Sequence, residues 1–277
     1  MNFQEAQEIL NKYDIKTTLD NNNQLTISHY SQPKEKTFFE LGINEDELIE
    51  HVVACRGVFD LRNSKLTKFP LYASREIRLY PDNKISQMPN LKVAGIFVTN
   101  KNLKKLPKLK FVSSIVLEDS QIKSFPKLKQ AGIIIAQNSS LEEMPLLEVV
   151  EKLCIVDCPI KDLSSLKTAG EVFICSSDEK NKNKIRNLDN LEEVNKLFVA
   201  NSNLKSMSNL KHANKIALFN CDTKAVKKGV CADVEIQNKI NDTDLTSKFD
   251  NFTDWYNSEI LQKSMDMLGD IVNKIQS

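Results

Sequence analysis

The sequence predicts a curved α/β solenoid with about ten short parallel strands, short extended or 3₁₀ segments on its convex side, and helical terminal caps. Three observations carry this expectation. A unit of about 19 residues recurs through the middle of the chain. Each unit opens on two apolar residues spaced two apart, and each continues with further apolar positions at fixed offsets.

The recurrence is plain from residue 95 onward: GIFVTNKNLKKLPKLKFVS, then SIVLEDSQIKSFPKLKQAG, then IIIAQNSSLEEMPLLEVVE. The opening pairs are Phe59/Leu61, Ile77/Leu79, Ile96/Val98, Ile115/Leu117, Ile134/Ala136, Leu153/Ile155, Val172/Ile174, Leu197/Val199, Ile216/Leu218 and Val234/Ile236. Their two-residue period is that of a strand with one face buried. A unit this short cannot enclose its own core, so it must stack on its neighbours.

Each pair is followed by an apolar residue such as Leu103, Ile122 or Leu141, and then by Leu106, Phe125 or Met144. Proline comes next in five units, at Pro70, Pro89, Pro107, Pro126 and Pro145. Proline lacks the N–H that a strand ladder needs, so it turns the chain back. With these positions in place, residues 57 to about 240 resemble the leucine-rich-repeat family, whose pattern is LxxLxLxx(N/C/S/T)xLxxLP. The resemblance implies a strand-lined concave face that recruits proteins. It also implies a structural turn after each strand, formed here by Asn63, Asn100, Asp119, Asn138, Asp157, Asn201 and Asn220 beside small residues such as Ser120 and Cys158. Short amides and carboxylates bond to their own backbone in turns and tolerate unusual torsions. Lys101 departs from the small-polar position, and an extra residue enters at Pro81-Asp82.

Three regions follow from this pattern. Residues 1–56 form an N-terminal cap of mixed helix and strand, with helices expected in MNFQEAQEILNKY and NEDELIEHVVAC and a strand in QLTISHY. Residues 57–240 form the solenoid, with a longer, charged loop near 176–184. Residues 241–277 form a C-terminal capping helix bearing Trp255, Ile260, Leu261, Met265, Leu268 and Ile271.

The outward strand positions shape the functional reading. They run Asp60, Arg78, Phe97, Val116, Ile135, Cys154, Phe173, Phe198, Ala217, Glu235, apolar or small through the middle. Phe97, Val116, Ile135, Phe173, Phe198 and Phe219 are the candidate partner-binding residues. A terminal segment covering this stripe and a partner docking on it are equal alternatives at this point. The expected function is a non-catalytic protein-binding scaffold using the concave face; the alternative is a structural or self-associating repeat protein, including a homodimer.

Other classes draw less support. Net charge is +1, so no global field attracts nucleic acid or an anionic membrane. Two lysine-rich columns exist, at Lys104, Lys123, Lys161, Lys205 and at Lys92, Lys110, Lys129, Lys167, but Glu142 and Glu148 interrupt them. The bland reading is solubilising charge. Six cysteines in 277 residues do not make a disulfide scaffold. No phosphate loop, HExxH or GxSxG occurs. His51 and Cys55, four apart on an expected helix, form a weak Cys-His pair without a third member. No enzyme, metal or cofactor is expected. Neither a secretory leader nor a membrane-spanning run is read from the residues, which makes the cytoplasm the default, with export by another route still compatible.

Overall fold

The computed structural model describes residues 1–19, 22–98, 101–177, 183–221 and 231–237; for 96–98 and 231–237 the description is of backbone alone. Twelve strands form one sheet in strict sequence order, β1 to β12. The first pair, β1 (Thr17–Leu19) and β2 (Leu25–Ile27), is an antiparallel hairpin. From β2 onward every neighbour is parallel, through β3 (Val52–Asp60), β4 (Ala73–Arg78), β5 (Val93–Val98) and β6 (Phe111–Glu118). The series continues with β7 (Gln130–Gln137), β8 (Val149–Val156), β9 (Thr168–Cys175), β10 (Glu193–Ala200), β11 (His212–Phe219) and β12 (Cys231–Gln237).

The α/β leucine-rich-repeat expectation is corrected here. The molecule is an essentially all-β solenoid, and its units do not alternate strand with helix. The described residues contain two short helices, α1 (Phe3–Lys12) and α2 (Glu45–Ile49), both before the first long strand. The reason lies in the unit length. Most strands from β6 onward take eight residues, leaving about eleven for the turn and the return, too few for a helix and two loops. The return is therefore extended and hydrogen-bonded to its neighbours, and no 3₁₀ segment occurs among the described residues. Ser124 bridges Glu143, which bridges Asp162. The N–H of Lys129 donates to Lys110 O at 2.9 Å, that of Glu148 to Lys129 O at 2.9 Å, and that of Lys167 to Glu148 O at 2.9 Å. Each turn thus bonds to the next on both sides of the core.

The interior is a stack of like residues. Ile115, Leu117, Ile122, Phe125 and Leu128 of one turn are all fully buried, as are Ile134, Ala136, Leu141, Met144 and Leu147 of the next. At the strand ends, Asn63, Asp119, Asn138, Asp157, Asn201 and Asn220 have φ between 47° and 58°. Asn and Asp reach this left-handed region more easily than other non-glycine residues. The N–H there still serves the sheet: Asn138 donates to Val156 O at 3.1 Å and Asn201 to Phe219 O at 3.0 Å. Asn100 lies outside the described residues.

A buried polar ladder follows one position later. Ser64, Ser120 and Ser202 accept from the backbone N–H two residues ahead at 3.1–3.3 Å. Where the unit lengthens, asparagine takes over. Asn83 donates to Leu61 O at 2.8 Å, Asn102 donates to Asn83 O at 2.9 Å, and Ser202 donates to Asn183 Oδ1 at 2.8 Å. The apparent misfit of Lys101 disappears, because Asn102 makes the inter-turn bonds.

The N-terminal region is docked by one buried carboxylate. Glu45, 4% exposed, accepts from Tyr30 Oη at 2.8 Å, Gln32 Nε2 at 2.9 Å, Ser64 Oγ at 2.6 Å and Lys65 N at 2.8 Å. Burial, and then the Glu45 charge, push the Tyr30 phenol well above its ordinary pKa. The expected second helix is only five residues long; VVAC enters β3 instead, as its two adjacent valines favour. The C-terminal helix expected at 241–277 lies outside the described residues, as do five residues of the 176–184 loop.

Candidate functional site

The outward face of the sheet is set by pairing register. Val116 pairs with Ile135, Ile135 with Cys154, Cys154 with Phe173, Phe173 with Phe198, and Phe198 with Ala217. Five of the expected partner-binding residues therefore belong to one face, with Phe219 in the adjacent column beside Ala200. Phe97 does not share their column. It pairs with Ile77 and Ile115, both core positions, while Val98 takes the place next to Val116. The extra residue before β5 moves the register by one, and one residue is enough to exchange the two faces of a strand.

The stripe is graded along its length. Val116 and Ile135 are half-buried, with polar Glu118 and Gln137 beside them. Toward the C-terminal side it becomes a second apolar core. Cys154 is 2% exposed, Phe173 7% and Phe219 0%, packed with Val156, Cys175, Ala200 and Ala217. The rings of Phe173 and Phe198 stack at 4.4 Å and 3°, and Phe198 meets Phe219 at 5.2 Å. The first spacing is close to the roughly 4.8 Å between neighbouring strands, so in-register pairing itself stacks the rings. An open receptor surface would leave such anchors accessible. The concave-face binding site expected from the family resemblance is corrected on this ground and on the all-β architecture.

Burial raises the thiol pKa values of Cys55, to about 11, and of Cys175, to about 12, and pushes Cys154 higher still. A thiol held protonated is a poor nucleophile and metal ligand. Among the described residues no group of three His, Cys, Asp or Glu could hold a metal ion. Cys55 sits in β3, not on a helix with His51, so the four-residue spacing loses its meaning; His51 instead packs edge-on against Phe3 at 5.7 Å. His29 bonds Ser28 Oγ at 3.0 Å, and His212 is exposed at the start of β11. No described helix is long and apolar enough to cross a membrane.

Two features escape a reading by repeat position. The N-terminal region carries large exposed apolar side chains, Leu19 52%, Phe39 65% and Leu41 37% exposed, with Phe39 lying beside Glu45 and Lys65. There β1 has a strand neighbour on one side only. The second feature is a groove on the return segments, lined by Lys104, Lys105, Leu106, Pro107, Lys123 and Pro126 among others. The first signal was present in the sequence as Leu19 and FFELG, but nothing in the repeat pattern marks a hairpin as a sheet edge. No protein-family model matches this chain, and no curated protein or solved structure is significantly similar to it.

Proposed function

We propose that this chain is a structural, self-associating repeat protein. The observation that carries the reading is the open N-terminal edge. A strand with one neighbour can offer backbone groups to another chain; in β1 the Thr17 N–H is already taken by Asn11 Oδ1 at 3.3 Å, which leaves the Leu19 end of the strand, with its side chain 52% exposed, as the part that can pair. Two copies meeting edge to edge through β1 would be related by a two-fold axis, which closes the assembly as a dimer. The packed C-terminal part of the outward face supports the same reading. It stiffens the sheet from the second side and leaves little of that stripe to receive an outside protein. Rigidity along a bonded ladder is what a spacer or assembly element requires.

Light scattering coupled to size-exclusion chromatography, over the widest attainable range of protein concentration, tests this. The expected result is a concentration-dependent dimer that becomes monomeric in Leu19→Asp, with the far-ultraviolet circular dichroism unchanged. A protein that stays monomeric at every concentration would remove the proposal.

A further inference from the structure

The charge on this chain is segregated. Residues 83–130 hold ten lysines against two acids, Glu118 and Asp119, whereas the whole chain has a net charge of only +1. Eight of those lysines lie between 101 and 129, and all eight are exposed. The return segments of two successive turns, 101–110 and 120–129, contain no acidic residue at all. Lys104, Lys105 and Lys123 rim a groove whose apolar lining is Leu106, Pro107 and Pro126. One turn further on, the equivalent of Lys127 is Leu146, 37% exposed, and Val149, paired with Gln130 and 40% exposed, lies close by. The acids at that border are matched mainly by Lys161, whose Nζ lies 2.9 Å from Glu142 and 3.0 Å from Glu143; Lys123 of the patch reaches Glu142 at 3.8 Å.

We propose that this basic return face docks on an anionic lipid surface. The argument rests on what the face contains and what it omits. Lysine ammonium groups are point charges that suit a diffuse layer of headgroups. Arginine, whose fork grips phosphate in two places, is absent from 83–130. Of the aromatic side chains described in that stretch, Phe125 is fully buried and Phe111 partly so, so among the described residues no stacking platform for nucleic-acid bases is built there. The exposed Leu146 and Val149 would enter the interface beside the charges, adding apolar burial to electrostatic attraction. Screening sets the range, since the field of such a patch decays within about 10 Å at 0.1 M salt. This face is separate from the N-terminal edge, so the inference does not depend on self-association.

Co-sedimentation of the full chain with phosphatidylcholine–phosphatidylserine vesicles tests it, with pure phosphatidylcholine vesicles and polyuridylic acid as comparison probes. Binding to the anionic vesicles is expected, and it should weaken as sodium chloride is raised. Each lysine removed should lower the partition coefficient about fivefold, so Lys104→Glu/Lys108→Glu/Lys127→Glu should bind at least roughly a hundredfold more weakly. Lys184→Glu/Arg186→Glu/Lys205→Glu changes the net charge equally but lies outside the patch, and should bind almost as the parent does. The proposal is overturned by any of three results: no sedimentation of the folded parent with anionic vesicles, equal loss in both triple variants, or binding to polyuridylic acid alone.

Discussion

At the scale of single residues, the buried Glu45 ties the N-terminal region to the first long turn. Its two oxygens receive four donors from two parts of the chain: Tyr30 and Gln32, and Ser64 with the Lys65 backbone. A buried donor left without its acceptor costs about 1–3 kcal/mol. Glu45→Ala should therefore destabilise the protein by about 3 kcal/mol or more, read as a lower urea midpoint. In Tyr30→Phe the same substitution should cost less, because one orphaned hydroxyl is already gone. An equal cost in both backgrounds would show that Tyr30 and Glu45 are not coupled. From sequence, Glu45 looked like one acid among several at a helix start, and its role depends on Ser64, 19 residues away. The turn residues were far more legible. Asn138 and its equivalents announce a left-handed torsion because few other residue types reach it cheaply.

At the scale of elements, the strands were readable and the returns were legible as extended or 3₁₀; the structure leaves them extended and hydrogen-bonded from turn to turn. Apolar pairs two apart identify β6 to β11 because the pleat has a period of two. Register was the weaker inference. Phe97 was assigned outward by counting equal units, yet the steps from Ile77 to Phe97 to Ile115 are 20 and 18 residues. Counting cannot tell two equal units from a long one followed by a short one; hydrogen bonds can. Backbone proximity also gives glycine a role at two places. A Cβ on Gly132 would collide with the carbonyl oxygen of Ser113, and one on Gly170 with that of Glu151. These oxygens belong to neighbouring strands of the ladder and cannot swing aside. Gly132→Ala and Gly170→Ala should each cost about 1–3 kcal/mol, seen as a lowered Tm in calorimetry. Unchanged melting in both would mean that the strands part more easily than the ladder implies.

At the scale of the whole molecule, every turn touches mainly the turns before and after it, so stability should accumulate turn by turn. Excising residues 120–138, one full period of 19, should leave a folded, shorter solenoid with the same circular dichroism shape. Excising one residue fewer should misplace every side chain on one joined strand and lower stability far more. If both deletions behave alike, register is not what holds the stack together. The same scale separates what each level of information decided. The sequence by itself determined that the chain is a stacked repeat, where its long strands lie, which residues turn them, and, outside β5, which apolar positions face inward. Those properties follow from local periodicity and from torsional preferences, which a chain carries wherever it folds. Tertiary structure alone decided that the returns are hydrogen-bonded from turn to turn, that β1 is left as an edge, and that Phe173 and Phe219 are buried while Leu19 and Phe39 are not. Burial and edge formation are relations between turns, created by distances across the stack that no single unit encodes.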